Sequence, residues 1–228
     1  MHVSLKRLVK GSPQGKFLVW ITRKLKPRLE LAVWFVKGRP FPPPHIVKQH
    51  VVRSYGRRFS LRTLIETGTF TGDMVEASGR HFRRIYSIEL DQVLAQRARE
   101  RLLAVDHVSI LQGDSKDVLP EILAGVNEPA LFWLDAHYSG GITARGQSWS
   151  PVLEELEAIL KRSIARDVVL IDDARGFTGP EADPRMEDLR RLVATYRRDW
   201  CFDVRDDIIR LHATQGSDAT EGQGIGRT

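Results

Sequence analysis

The stretch Leu64-Ile65-Glu66-Thr67-Gly68-Thr69-Phe70-Thr71-Gly72-Asp73 does most to restrict what this chain can fold into. Two apolar residues run into an acid and then two glycines. Met74, Val75 and Ala77 follow at helical spacing. The pattern predicts a strand, a tight turn and a helix. Gly68 permits a sharp turn, and Gly72 lets another group or a ligand approach the helix start, where backbone N–H groups lack partners. The glycines are spaced G-x-x-x-G, which is not the G-x-G-x-x-G dinucleotide fingerprint. By itself the stretch reads equally as an ordinary strand-to-helix turn. A second feature separates the two readings: the next apolar run, Arg84-Ile85-Tyr86-Ser87-Ile88-Glu89, also ends in a carboxylate. That is the distance at which nucleotide-binding α/β folds place a ribose-binding acid.

The alternation continues. A helix is predicted over 91–104, capped by Asp91, with Val93, Leu94, Ala98, Leu102 and Leu103 as one buried stripe. A strand over 108–111 leads to Gln112-Gly113-Asp114-Ser115, where Asp114 or Ser115 can cap a helix over 116–124. The apolar strand 130–134 ends at Asp135 and opens into a polar, glycine-rich loop, 137–143. Ser150-Pro151 starts a helix to Lys161. The strand 168–171 ends in Asp172-Asp173, followed by a helix over 186–197 and strands near 201–205 and 208–213. Strands alternating with helices predict a mostly parallel sheet covered on both faces, with ligands bound beyond the carboxyl ends of the strands. Five successive strands end in Glu66, Glu89, Asp114, Asp135 and Asp172/Asp173. One such carboxylate is often only a helix cap or turn residue. Five on one edge repel each other unless a cation or a polyhydroxyl ligand uses them.

Charge is distributed unevenly. Residues 1–62 carry fifteen Lys and Arg against Glu30 alone, while the remainder carries 20 basic and 28 acidic residues. The basic excess belongs to a leader, so it does not argue for nucleic-acid binding by the domain behind it. Cys201 is the single cysteine, which excludes an intramolecular disulfide and a cysteine-based metal cluster and suits a reducing, cytoplasmic compartment. In the leader, residues 17–36 are the most apolar. Arg23, Lys24, Lys26, Arg28 and Glu30 interrupt them too often for a membrane span, and the run 17–21 is too short for a signal peptide. Pro27 is expected to break or kink a helix here. Two readings of 17–36 stand: short helices packing on the domain or on a second subunit of a homodimer, or an interfacial segment lying on a membrane. Basic residues off a single helical face favour the first. Pro40 and Pro42-Pro43-Pro44 read as a stiff linker, and Ile46, Val47, Val51, Val52 and Tyr55 as a helix beside the first strand. The expected division is a basic extension over 1–44, a domain over 45–214 and a disordered tail over 215–228.

At these residues the chain resembles the class I S-adenosylmethionine-dependent methyltransferases, and within them the metal-dependent O-methyltransferases of the catechol and caffeoyl-CoA type. The resemblance covers about residues 63–176. It implies a Rossmann-like, mostly parallel seven-stranded sheet with helices on both faces, here behind a basic helical N-terminal extension. It further implies S-adenosylmethionine as cofactor, with Glu66, Gly68, Thr69 and Gly72 in the cofactor loop, Glu89 on the ribose, Asp114 and Ser115 beside the adenine, and Asp135 next to the cofactor. Asp135, Asp172 and Asp173 fall on positions that hold Mg²⁺ in that group. The family's general-base lysine, three residues after the Asp135 position, is replaced by Tyr138. His137 then stands as candidate base, because imidazole titrates near neutral pH, or else as a loop residue hydrogen-bonding the backbone. Arg145 is the other nearby candidate. The implied substrate is a small hydroxylated molecule. Two other classes compete: a nicotinamide-dependent oxidoreductase, which leaves Asp135 and Asp172/Asp173 unexplained, and a non-catalytic protein docking on a membrane or partner through its leader.

Overall fold

The computed structural model describes residues 13–135, 151–180 and 184–214, with side chains from Leu25 onward. The chain divides into two compact units, Met1–His50 and Val51–Thr228.

In the first unit, α1 (Pro13–Val36) is a single 24-residue helix. The expected break at Pro27 is absent. A helix continues past an internal proline when only one backbone bond is given up and neighbouring turns hold. After Val36 the chain folds back: Lys37 N donates to Val33 O at 3.0 Å, and Arg39 N to Trp34 O at 2.9 Å. The Trp34 indole donates to Pro40 O at 2.8 Å, and Trp34 is the buried residue among the described side chains of α1. A second helix, α2 (His45–Arg58), crosses into the other unit.

The second unit is built as the alternation predicts. In order come β1 (Thr63–Thr67), α3 (Asp73–Ser78), β2 (Arg84–Glu89), α4 (Gln92–Leu102), β3 (Val108–Gln112), α5 (Ser115–Gly125), β4 (Ala130–Leu134), α6 (Val152–Leu160) and β5 (Val168–Ile171). A 3₁₀ turn (Ala174–Phe177), α7 (Met186–Tyr196), β6 (Trp200–Arg205) and β7 (Ile208–Ala213) complete it. Among the described residues the strands form one seven-stranded sheet in the order β3-β2-β1-β4-β5-β7-β6. The first five are parallel, and β7 runs antiparallel to both neighbours. Asp206 and Asp207 join β6 to β7 with φ of 53° and 63°, the two left-handed residues that a tight hairpin of matching twist requires.

Side-chain alternation sorts the core into two clusters, one on each face. Leu64, Ile85, Leu131, Trp133 and Leu170 pack with Val51 and Val52 of α2, Met74 and Val75 of α3 and Leu102 of α4. Ile65, Ile88, Phe132, Leu134 and Val169 pack with Leu119 of α5, Leu156 and Ile159 of α6 and Leu189 and Val193 of α7. The expected stripe of α4 is narrower than its apolar residues suggest. Leu94, Ala95, Ala98 and Leu102 are buried, but Val93 and Leu103 face solvent. Residues four apart stay on one helical face, and these two are one step off it.

Candidate functional site

Strand order converts the sequence of strand-end acids into a spatial row. Reading from β3 to β5, the carboxyl rim presents Asp114, Glu89, Glu66, Asp135 and Asp172/Asp173. Between β1 and β4 the chain order reverses, which is where open α/β sheets form their ligand crevice. Thr67 O accepts from Asp135 N at 3.1 Å, and Leu134 O from Asp172 N at 3.0 Å, so the three central strand ends are level.

The loop from β1 to α3 borders that crevice. Gly68 (φ 84°), Phe70 (φ 48°) and Gly72 (φ 79°) all lie in the left-handed region, which costs a non-glycine residue about 1–2 kcal/mol. The curl lets Gly68 N and Thr69 N donate together to Ile88 O, at 2.9 and 3.1 Å. At Gly72 the group that comes close to the helix start is a neighbouring side chain. A Cβ there would meet Leu102 Cδ1 of α4 at 3.2 Å, so the close approach is helix packing. Arg101 of α4 ties the loop from outside, donating to Thr71 O at 2.6 Å and pairing with Asp73 and Glu76.

Glu89 is buried and heavily used. Oε2 accepts from Phe70 N at 2.6 Å and Oε1 from Asp91 N at 3.0 Å. A carboxylate offers about four lone-pair sites, so capacity remains for two ligand hydroxyls. Glu66, Ser87 and Glu89 share one sheet face, because Glu66 pairs in register with Ser87 and Glu89 lies two residues on. The Ser87 hydroxyl donates to Glu66 Oε2, and Thr69 Oγ1 stands 2.6 Å from Ser87 Oγ. Burial pushes the Glu66 carboxyl up to about 8; the Ser87 hydroxyl opposes the change, and the Glu89 and Asp73 carboxylates reinforce it. At neutral pH the protonated form of Glu66 is therefore the favoured one.

Asp114 and Ser115 sit where β3 meets α5. Asp114 accepts from Lys116 N at 3.3 Å as the cap of α5, with Lys116 Nζ at 3.9 Å. Gly113 N donates to Glu89 O at 2.9 Å, joining this corner to the end of β2.

One oxygen each of Asp135, Asp172 and Asp173 lie within 4.8 Å of one another. Asp172 is fully buried, and its Oδ1 accepts from Asp173 N at 2.9 Å. Asp173 holds φ 54°, and its Oδ1 is 3.1 Å from Arg175 Nη1. The Arg175 side chain also pairs with Asp207, whose Oδ1 accepts from Arg175 N at 2.9 Å and whose carbonyl accepts from Ala174 N at 2.9 Å. Three carboxylate oxygens are the hard donors that Mg²⁺ prefers. The donor set therefore fits such an ion, with Arg175 neutralising part of the same charge.

His137, the candidate base, lies outside the described residues, as do Tyr138, Arg145 and Ser150. Two contributors were not anticipated. Ser87 sits inside an apolar strand and reaches Glu66. Glu155, in the first turn of α6, is buried with its carboxyl raised to about 7, chiefly by burial. The hydroxyls of Ser115 and Thr67 favour its ionised form, while Asp114 and Glu154 oppose it. Thr67 Oγ1 and Glu155 Oε1 nonetheless complete no hydrogen bond of good geometry. The available signal was spacing: Val152, Glu155, Leu156 and Ile159 fall on one helical face.

No family model and no curated protein matches the chain. Solved structures match its fold. The O-methyltransferase TomG of Streptomyces achromogenes, involved in tomaymycin synthesis and solved with SAM, gives a TM-score of 0.58 at 19% identity over 86% of this chain and 95% of that one. An O-methyltransferase of Bacillus cereus, solved with SAH, gives 0.57 at 19% identity over 82% and 90%. A Staphylococcus aureus protein assigned as a caffeoyl-CoA O-methyltransferase gives 0.52 at 14% identity over 87% and 98%.

Proposed function

We propose that this chain is an S-adenosylmethionine-dependent methyltransferase acting on a hydroxyl oxygen of a small acceptor, with its catalytic domain over residues 45–214. One observation carries the reading: the acids Asp114, Glu89, Glu66, Asp135 and Asp172/Asp173 line the carboxyl rim on both sides of the switch point, in a sheet whose fold is shared with O-methyltransferases. S-adenosylmethionine supplies a methyl group on a cationic sulfur. Glu89 would accept the two ribose hydroxyls on its remaining lone pairs, while the Phe70 and Asp91 amides hold it still. Glu66 would hold the ammonium of the methionine part and would give up its proton as that cation binds. Gly68 and Thr69 keep the loop backbone tight against β2, and Asp114 and Ser115 border the adenine. Asp135, Asp172 and Asp173 would hold Mg²⁺, which lowers the pKa of an acceptor hydroxyl and directs it. His137 is the proposed base that removes the hydroxyl proton. Positioning the acceptor hydroxyl against the bound methyl donor would supply most of the rate gain.

Isothermal titration of the full chain with S-adenosylmethionine tests this reading. Binding in the micromolar range supports it, and no heat at millimolar ligand ends it. A thermal-shift comparison with NAD(H) and NADP(H) separates it from the oxidoreductase alternative, for which the site offers no third glycine and no use of Asp172 and Asp173.

A further inference from the structure

The leader helix α1 presents an apolar face with no described partner. Leu25, Leu29, Ala32 and Val36 recur at intervals of four, three and four residues, so they share one side of the helix, with Val33 at its edge. Leu25, Leu29, Val33 and Val36 are 56%, 67%, 42% and 89% exposed. Exposed aliphatic side chains occur singly on most proteins, but four in one stripe call for an occupant. Lys26 and Arg28 stand on opposite flanks of the stripe, and Lys37 follows its end. The fold-back after Val36 builds a basic and aromatic corner there, with the Arg39 guanidinium 5.1 Å from the Trp34 ring and 5.6 Å from that of Phe35. Phe35 and Phe41 are exposed at this corner.

Outside the chain itself, two occupants fit an apolar stripe of this length: a second copy of the helix, or the surface of a bilayer. Charge decides between them. Residues 1–50 carry eleven Lys and Arg against Glu30 alone. Pairing two copies brings two strongly cationic segments together, with one acid in each to offset them. An anionic lipid surface takes up the same charge favourably, and Lys and Arg beside an apolar stripe extend their amines to headgroups while their stems stay in the interface. No described helix is long and apolar enough to cross a membrane, so the mode is adsorption in the plane. We propose that α1 docks this protein on an anionic lipid surface through Leu25, Leu29, Val33 and Val36, with Lys26, Arg28, Lys37 and Arg39 on the headgroups.

Co-sedimentation of the full chain with vesicles tests it, comparing phosphatidylcholine containing roughly a third phosphatidylglycerol with phosphatidylcholine alone. The expected result is at least about tenfold stronger partition onto the anionic vesicles, falling in high salt. Leu29→Asp with Val36→Asp should lower it by at least about tenfold, and Lys26→Glu with Arg28→Glu by a similar factor. All of these positions are exposed, so the thermal transition of each variant should match the parent. Equal partition onto both vesicle types, or apolar variants that bind like the parent, would overturn the proposal. So would a parent that binds neither vesicle. A concentration-dependent dimer in light scattering that Leu29→Asp with Val36→Asp dissolves, without lipid binding, would assign the face to a second copy instead.

Discussion

Replacing Glu66 by Gln should remove a pH dependence that the ligand-free protein carries in its stability. The carboxyl is fully buried, and its pKa rises from an ordinary 4.5 to about 8. Between those values the folded chain binds a proton that the unfolded chain releases. Stability is then full below about pH 4.5 and falls as pH rises towards 8. Mid-window the folded state loses about 1.4 kcal/mol for each rise of one in pH, and less near either end, so the loss between pH 5 and pH 8 is roughly 3 to 3.5 kcal/mol. Gln is isosteric with the protonated acid and keeps an acceptor for the Ser87 hydroxyl. Glu66→Gln should match the parent at pH 5 and exceed it by roughly 3 kcal/mol at pH 8. Urea denaturation at half-unit pH intervals measures both curves. A residual slope ending near pH 7 should remain in the variant, because Glu155 titrates there for the same reason. Parallel curves for parent and variant from pH 5 to 8 would show that Glu66 is ionised throughout and would refute the reasoning. Titration with S-adenosylmethionine at pH 7 in two buffers of different ionisation enthalpy should show proton release in the parent and none in Glu66→Gln.

Three further outcomes are expected. Gly72→Ala places a Cβ 3.2 Å from Leu102 Cδ1 at φ 79° and should cost about 1–2 kcal/mol in urea denaturation. Glu89→Ala strips the Phe70 and Asp91 amides of their acceptor and should weaken S-adenosylmethionine binding at least about tenfold by calorimetry. Asp172→Asn should weaken Mg²⁺ or Mn²⁺ binding at least about tenfold in direct titration, because it removes the most buried charge of the three-acid cluster.

The sheet was legible in the sequence because its signals are local. Leu64–Ile65, Ile85–Ile88, Leu131–Leu134 and Val168–Ile171 are apolar runs, each followed within two residues by an acid, and the helices between them keep their period. Asp91 and Asp114 announce their helices by the capping role the structure assigns them. Other features depend on partners far along the chain. That Gly72 makes room for Leu102, that Ser87 reaches across to Glu66, and that Glu155 lies under Thr67 and Ser115 are all results of packing between elements. Pro27 does not end α1 for the opposite reason: its local rule is sound, but one lost backbone bond does not outweigh the turns on either side.

The turn that carries Asp172 and Asp173 is pinned to the β6–β7 hairpin. Asp207 holds it at three points, through the Ala174 amide, the Arg175 amide and the Arg175 side chain. The angle at which Asp173 faces its fellow acids is thus set by a residue on the hairpin at the sheet's far margin. Anyone transplanting these acids to another scaffold must carry that hairpin with them. A substitution at Asp207, though distant along the chain, will retune the acids as surely as changes made among them.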